Sequence, residues 1–191
     1  MVTKLKGFAQ VEPKELERNV FAAIGDDWME ICAGDGATKK ANAMTASWGG
    51  MGIMWGQPVA FIVVRGQEDR ATRKILDEQP LFSLCFLGEE HAEAKGYLGR
   101  VHGWDDPTKI ESAGLHTGWC GTELEYDAER RGDHAHTPFI EESQTVLICE
   151  KMCAAELTQD CILDPAVWEK WYSDITPHTL FVAKIHAAFV K

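Results

Sequence analysis

Residues 42–65, NAMTASWGGMGIMWGQPVAFIVVR, combine side chains that suit contact with a planar ligand. The small and hydroxyl residues at 45–47 leave the backbone accessible, and the glycines that follow allow a ligand to approach closely. Trp48 and Trp55 offer flat apolar faces, and Arg65 ends the apolar run with a forked hydrogen-bond donor. A strand that turns polar residues towards water explains 45–47 equally well, so this segment alone leaves both interpretations open.

The residues that follow this segment are suited to an anion. Arg65 and Arg70 carry guanidinium groups, which can bind a phosphate with two parallel hydrogen bonds. Thr72 stands at the start of a helix predicted at 73–78, where free backbone N–H groups and the helix dipole favour negative charge. A solvated run of charges, EDRATRK, is the alternative interpretation of the same residues.

Several single residues could also line a ligand cavity. Trp104 could stack on a planar ring, although aromatic residues are also common in ordinary cores. Ser83 and Cys85 share one face of a predicted strand, which lines a cavity or contacts a packed neighbour. No partner base accompanies Cys85, so we do not expect a nucleophilic cysteine. Trp168 and Trp171, three apart on a predicted helix, are interpreted as packing residues.

The cysteines and two neighbouring histidines do not form a recognisable metal motif. The six cysteines contain no CxxC pair, which favours buried or incidental thiols over a zinc site or a disulfide framework. His134 and His136 would share one face of an extended segment and could bind a metal there. Because no cysteine or carboxylate cluster is placed to complete such a site, we predict a solvated loop at these residues.

Composition limits the classes of partner. The chain has 191 residues and a net charge of −11, which argues against nucleic acid or an anionic membrane as a broad partner. The N-terminal residues lack the apolar core of a signal peptide, and the longest purely apolar run, 59–64, is too short to span a bilayer. We therefore expect a cytoplasmic protein with reduced thiols, folded as one domain over 1–191.

Strands dominate the predicted secondary structure. Apolar and alternating runs predict about seven strands, placed at 28–33, 43–48, 59–65, 81–87, 145–157 and 179–190, with a hairpin and loop at 118–133. Residues 49–58 are predicted as a loop, and helices are predicted at 13–24, 73–78, 89–99, 107–114 and from 165 onwards. Closely spaced strands with few helical crossovers favour an antiparallel barrel, and the absence of GxGxxG argues against a Rossmann site.

With these elements in place, the chain resembles the flavin reductase-like, FMN-binding split-barrel family, in particular its flavoredoxin-like branch. The resemblance is carried by DDWMEICAGD at 26–35, the whole of 42–65, RAT at 70–72 and FSLCF at 82–86, and it covers nearly the whole chain. The run MTASWGG…W..PVA is more specific than any single residue. The family implies a mainly β fold, an antiparallel split β-barrel with peripheral helices, and a homodimer with FMN at the interface.

The resemblance also implies which residues bind FMN. The segment from Met44 to Trp48 would line the flavin, and Arg65, Arg70 and Thr72 would hold its phosphate. The candidate cofactor-binding residues are Asn42, Met44, Thr45, Ala46, Ser47, Trp48, Arg65, Gln67, Arg70, Thr72, Ser83, Cys85, His102 and Trp104. Because the cofactor carries the redox chemistry, we expect no catalytic side chain and no metal.

Two segments depart from the family pattern. Where related sequences often read RPxRxT, residues 65–72 read RGQEDRAT, which is longer and contains two acids. Where they often read GSxSGRDxDK, residues 99–105 read GRVHGWD, with His102 and Trp104 in place of a small residue and an arginine. The second segment commonly reaches the flavin edge in the family, so a difference in substrate or nicotinamide choice is expected there.

The function implied is an oxidoreductase that passes electrons from NADH or NADPH through FMN to a flavin, iron, quinone or protein acceptor. The alternative is a non-enzymatic flavin-binding electron carrier, because an acidic surface suits docking to a basic redox partner protein. A third interpretation is a barrel of the same type that binds another planar ligand instead of a flavin.

Overall fold

The computed structural model describes residues 1–66 and 71–191. Within these ranges the chain forms ten β-strands and five α-helices, with single 3₁₀ turns at Pro13–Glu15, Glu89–His91 and Gln159–Cys161. The strands are β1 (Ala9–Val11), β2 (Met29–Asp35), β3 (Lys40–Ala46), β4 (Gly49–Met54), β5 (Gln57–Val64), β6 (Leu81–Phe86), β7 (Thr117–Glu123), β8 (His134–Ile140), β9 (Thr145–Glu156) and β10 (Thr179–Val190). The helices are α1 (Val20–Gly25), α2 (Ala71–Glu78), α3 (Ala92–Arg100), α4 (Lys109–Ser112) and α5 (Pro165–Tyr172).

Most of the strands form one curved antiparallel sheet. They pair in the order β3-β2-β6-β9-β10-β5-β4, and β1 adds to β10. The end strands β3 and β4 follow one another in the chain across Ser47 and Trp48, yet no pairing joins them among the described residues. The sheet thus forms a barrel open along one line, which confirms the predicted antiparallel split β-barrel with peripheral helices.

Alternate residues of the strands fill the barrel. Met44 of β3, Ile62 of β5 and Phe82 of β6 are buried in one apolar cluster, and Leu76 of α2 packs into the same cluster. Because successive side chains of a strand point to opposite faces, Thr45 of β3 is turned away from this interior. The barrel core therefore fixes which face of β3 is available on the outside.

A second apolar layer covers the outer face of β2, β6 and β9. The β7–β8 hairpin and α3 supply it, with Phe139 of β8 and Leu98 of α3 packed in one cluster with Cys85 and Ile148. Both faces of these central strands are thus buried, which explains why their sequences are apolar without clean alternation.

The loop predicted at 49–58 is wrong, because these residues form β4 and the start of β5. The two strands make a hairpin in which Met54 pairs with Gln57. Trp55 and Gly56 at its tip have φ angles of 51° and 74°, as a type I′ turn requires. Four glycines and a proline between residues 49 and 58 favour a loop in the sequence pattern, although Pro58 pairs with Ile53 in the sheet.

The helix predicted at 13–24 is shorter than expected. Within 13–24, only the residues of α1 form an α-helix. The side chain of Asn19 caps its N-terminus by accepting hydrogen bonds from Phe21 N at 3.0 Å and Ala22 N at 3.3 Å. A single 3₁₀ turn at Pro13–Glu15 accounts for the proline signal. Because the backbone of the N-cap residue Asn19 is extended, no continuous helix can run through it from residue 13.

The loop predicted around His134 and His136 is also wrong, since both residues lie on β8 and are exposed. Over residues 1–66 and 71–191, no group of three or more His, Cys, Asp or Glu side chains is placed to hold a metal ion. In the same part of the chain, no helix has the length and apolar character needed to cross a membrane.

Candidate functional site

The site is built on β3, the strand at one end of the barrel sheet. β3 pairs with β2 along one edge, and no described strand pairs with its other edge. Unpaired N–H and C=O groups along an end strand can hydrogen bond a ligand. Met44 and Ala46, each 9% exposed, point into the barrel, so a ligand would meet their backbone rather than their side chains.

A cleft of about 920 Å³ opens at the beginning of β3. It lies between α2 and the segment 103–119, and its lining is Asp35, Thr38, Lys39, Lys40, Ala41, Asn42, Ala71, Lys74, Ile75, Glu78, Gln79, Gly103, Trp104, Pro107, Thr108, Glu111, Thr117 and Trp119. This cleft is in the upper part of the size range, roughly 300–1,000 Å³, that is usual for ligand pockets.

A buried amide forms part of the cleft wall. Asn42 is 6% exposed, and its Nδ2 donates to Thr72 Oγ1 at 2.6 Å. Asn42 Oδ1 is buried and has no hydrogen-bond partner among the described residues. A Cβ on Gly103 would come within 2.4 Å of that oxygen, so this position has no room for a side chain. The structure thus brings the predicted site residues Asn42 and Thr72 together and packs the 101–106 loop against them.

The loop 101–106 carries the two residues that depart from the family pattern. Trp104 is 52% exposed and lines the cleft, with Lys74 Nζ 5.8 Å from its ring centroid. His102 is half-buried two residues earlier and does not line the cleft. Of this pair, only Trp104 is placed where a cleft ligand would meet it.

The candidate residues Ser47, Trp48 and Arg65 do not line the cleft. Ser47 and Arg65 are exposed, and the backbone N–H of Val63 donates to Trp48 O at 3.3 Å, which extends the β4–β5 pairing by one residue. At about 3.3 Å per strand residue, Ser47 lies roughly 16 Å along β3 from Asn42. The candidate residues therefore extend along the strand instead of meeting at one point.

Trp48 does not offer the flat face that the sequence suggested. Its ring stacks on His178 at 5.0 Å with an interplanar angle of 30° and contacts Trp171 edge-on at 5.0 Å. Trp171 belongs to α5, and Trp168 of the same helix stacks on Tyr172 at 5.3 Å. Trp48 is thus a packing residue that fixes the β3–β4 connection, and the predicted packing roles of Trp168 and Trp171 are confirmed.

Thr45 uses its hydroxyl behind β3. Thr45 Oγ1 lies 2.7 Å from Glu30 Oε2 and 2.6 Å from the carbonyl oxygen of Lys95 in α3. Thr45 is the donor towards both oxygens, so the carboxylate and the carbonyl oxygen share its single hydroxyl proton. Burial raises the pKa of the Glu30 carboxyl to about 8, although the hydrogen bond with Thr45 acts in the opposite direction.

Ser83 and Cys85 are buried beneath β8 and do not reach the cleft. Ser83 Oγ donates to Pro138 O at 2.6 Å, and Cys85 Sγ accepts from the N–H of Ile140 at 3.4 Å. Cys32 Sγ lies 3.8 Å from Cys85 Sγ, and burial raises the pKa of Cys32. These side chains pack the layer between the barrel and the hairpin, and their own chain seals them from any ligand.

Two predicted candidates, Gln67 and Arg70, lie outside the described residues. Sequence reasoning in turn missed Lys39, Lys74 and Trp119 in the cleft. The sequence gives little indication of these residues. Lys39, for example, has a φ angle of 58° in the turn before β3, a conformation that no sequence pattern predicts for lysine.

Comparison with known proteins supports the fold. Neither a protein-family model nor a curated protein sequence matches this chain. An FMN-binding domain of a flavin reductases-like enzyme from Shewanella baltica superposes with a TM-score of 0.60 at 15% identity, over 96% of this chain and 76% of that one. Flavoredoxin from Methanosarcina acetivorans gives a TM-score of 0.58 at 18% identity, over 86% and 68%.

A third similar structure is described with its ligands. The NADH:FAD oxidoreductase from Streptomyces globisporus, in complex with NAD and FAD fragments, superposes with a TM-score of 0.54 at 16% identity, over 86% of this chain and 74% of that one. At such identities the likeness concerns the fold. The chain therefore has the split-barrel fold of the FMN-binding, flavin reductase-like proteins.

Proposed function

We propose that this protein is an FMN-dependent, flavin reductase-like oxidoreductase that takes electrons from NADH or NADPH and passes them to a flavin or another acceptor. The observation that carries the proposal is the open edge of β3 at the split of a flavin reductase-like barrel, with Ser47 exposed after β3 and Arg65 exposed after β5. FMN, when bound, supplies the hydride and electron-transfer chemistry, and the protein supplies binding and orientation.

The residues along β3 fit a flavin. Ala46 and Ser47 are small, so the unpaired backbone edge can approach a ring system closely. Arg65 is exposed and forms no ion pair with a described residue, which leaves its guanidinium available for a phosphate. Thr72 is fully buried against Asn42, so we assign it the positioning of α2 rather than direct phosphate binding.

The test of this site is FMN affinity in an arginine variant. Arg65→Ala should weaken FMN binding by about 1.5–3 kcal/mol, the usual contribution of a charged hydrogen bond. Quenching of FMN fluorescence during titration measures the affinity, and Arg131→Ala, which removes an exposed arginine of the 124–133 loop, serves as the matched control. Unchanged affinity in a folded Arg65→Ala protein would remove Arg65 from the site.

A flavin-binding electron carrier is the second candidate function, favoured by the net charge of −11. An acidic surface would steer the protein towards a basic redox partner. Steady-state oxidation of NADH and NADPH with free FMN separates the two functions. Turnover supports the reductase, whereas bound FMN that only a protein donor can reduce supports the carrier.

We further propose that the functional unit is a homodimer. Ile53, Met54 and Trp55 at the tip of the β4–β5 hairpin are 73%, 44% and 55% exposed, and Phe61 on β5 is 38% exposed. Contiguous exposed apolar side chains of this kind mark interaction surfaces. Ile53→Glu should shift the oligomeric state measured by light scattering towards monomer, and a monomeric wild-type protein would contradict the proposal.

A cytoplasmic location and a single domain over 1–191 complete the proposal. All six cysteines are free thiols in the structure, and Cys153 and Cys161 are exposed. Exposed free thiols are typical of proteins that work in a reducing compartment.

A further inference from the structure

The cleft beside β3 contains aromatic rings paired with lysines. Lys39 Nζ lies 4.5 Å from the ring centroid of Trp119, and Lys74 Nζ lies 5.8 Å from that of Trp104. Lys40 lines the same cleft. None of these three ammonium groups has a carboxylate partner within 4 Å among the described residues. The rings therefore hold the charges of Lys39 and Lys74 in place, and none of the three charges is compensated by an ion pair among the described residues.

Two of the three acids in the cleft are engaged elsewhere. Asp35 accepts hydrogen bonds from Ala37 N and Thr38 Oγ1, each at 2.9 Å, within the β2–β3 turn. Glu111 accepts from Thr117 Oγ1 at 2.8 Å. Glu78 makes no such contact among the described residues, so the cleft offers a ligand three lysine ammonium groups and one carboxylate that is not already hydrogen bonded.

The cleft also offers a polar group suited to a sugar or a base. Asn42 is more than nine-tenths buried, lines the cleft and keeps an unpartnered amide oxygen among the described residues. A buried acceptor without a partner is costly, and a hydroxyl or amino group from a ligand would relieve that cost. The volume of about 920 Å³ exceeds what a single aromatic ring needs.

We infer that this cleft binds the adenine nucleotide end of a nicotinamide dinucleotide, an inference that rests on the proposed function. The base stacks on the half-buried indole of Trp119, which lines the cleft, because aromatic side chains bind nucleic acid bases through their π faces. The phosphates contact Lys39, Lys40 and Lys74, since lysine binds phosphate as a point charge. The cleft shares Asn42 with β3, so a ligand that fills it ends beside the strand proposed to hold FMN.

The test uses ADP as the probe on the full chain without added FMN. Calorimetric titration should show one saturable site, weakened by added salt as expected for phosphate contacts. Trp119→Ala should raise Kd by about fivefold or more, from the loss of base stacking, and Lys39→Ala by about threefold to tenfold. Lys14→Ala, which removes an exposed lysine on the Pro13–Glu15 turn, should leave Kd unchanged.

Further variants keep the inference falsifiable. If Trp119→Ala does not fold, Trp119→Phe should restore folding and retain most of the affinity, since the aromatic face is kept. The inference is overturned by absence of saturable ADP binding, by cleft variants that bind like wild type, or by FMN displacing ADP from one shared site. ADP binding in a protein that takes up no FMN would support the nucleotide cleft and contradict the flavin function, so the two failures are distinguishable.

Discussion

Glu30 and Glu150 are both fully buried, yet their environments shift the pKa of the carboxyl group in opposite directions. Glu30 lies behind β3 with one hydrogen-bond partner, Thr45, and its Oε1 has none among the described residues. Burial raises the pKa of Glu30 to about 8. The pKa of Glu150 is lowered instead, because burial, which would raise it, is outweighed by several donors.

Glu150 pins the loop that follows β7 to the barrel. Its Oε1 accepts from the N–H of Tyr126 at 2.7 Å and from that of Asp127 at 3.1 Å. Its Oε2 accepts from the N–H of Glu125 at 2.9 Å and contacts His186 Nε2 at 2.7 Å. The comparison teaches that burial alone does not decide the ionisation of a carboxylate, and that the number of donors aimed at it does.

The largest effect is expected at Glu150. Glu150→Gln places an amide NH₂ where backbone donors converge, so it should reduce the free energy of unfolding by about 3–5 kcal/mol. Urea unfolding measures the change, and Glu156→Gln on the exposed end of the same strand provides the control. A loss below 1 kcal/mol would show that the converging donors do not stabilise the charge, and the contrast drawn between Glu150 and Glu30 would then be wrong.

A pH-dependent effect is expected at Glu30. Above its ordinary pKa the unfolded chain releases this proton, whereas the folded chain keeps it until the pH passes about 8. The unfolded state then binds fewer protons, so the contribution of Glu30 to stability falls as pH rises from about 4.5 to 8.

Glu30→Gln isolates that contribution. The variant should gain stability relative to wild type by a few kcal/mol between pH 5 and pH 8, since each pKa unit corresponds to about 1.4 kcal/mol. Thermal or urea unfolding at several pH values measures the difference, with Glu17→Gln as an exposed control. A difference that stays constant across this range would mean that Glu30 is ionised in the folded protein.

The smallest effect is expected at Thr45. Thr45→Val leaves Glu30 and the carbonyl oxygen of Lys95 without their shared hydroxyl, so it should cost about 1–2 kcal/mol of stability. Because the Thr45 hydrogen bond lowers the pKa of Glu30, the variant should also extend the pH-sensitive window upwards. Repeating the pH series in Thr45→Val tests both statements, and an unchanged window would remove Thr45 from the control of Glu30.

Much of the barrel could be predicted from the sequence because its central strands are long and apolar. The sequence pattern places β5, β6, β9 and β10 within a few residues of their observed bounds, as expected for long apolar strands. The sequence pattern does not predict β4, because glycines are typical of loops and this strand is defined by its pairing with β5.

The site was less predictable because it depends on contacts between distant segments. In the sequence, Glu30 is an ordinary acid within a strand. The structure shows that it is fully buried and that Thr45, its hydrogen-bond partner, also contacts the carbonyl oxygen of Lys95 in α3. The cleft joins the β2–β3 turn to β7, which brings Lys39 to Trp119 across 80 positions. The sequence suggests Trp48 as a ligand face, but His178 stacks on its ring and Trp171 of α5 packs against it edge-on.

The most direct test of the flavin site is the visible absorption spectrum of the purified protein mixed with FMN and then given NADH or NADPH without oxygen. The proposed function predicts that FMN stays with the protein through gel filtration and that its visible band is lost when the donor is added. A folded protein that emerges colourless after incubation with excess FMN would contradict the claim that β3 and Arg65 form a flavin site.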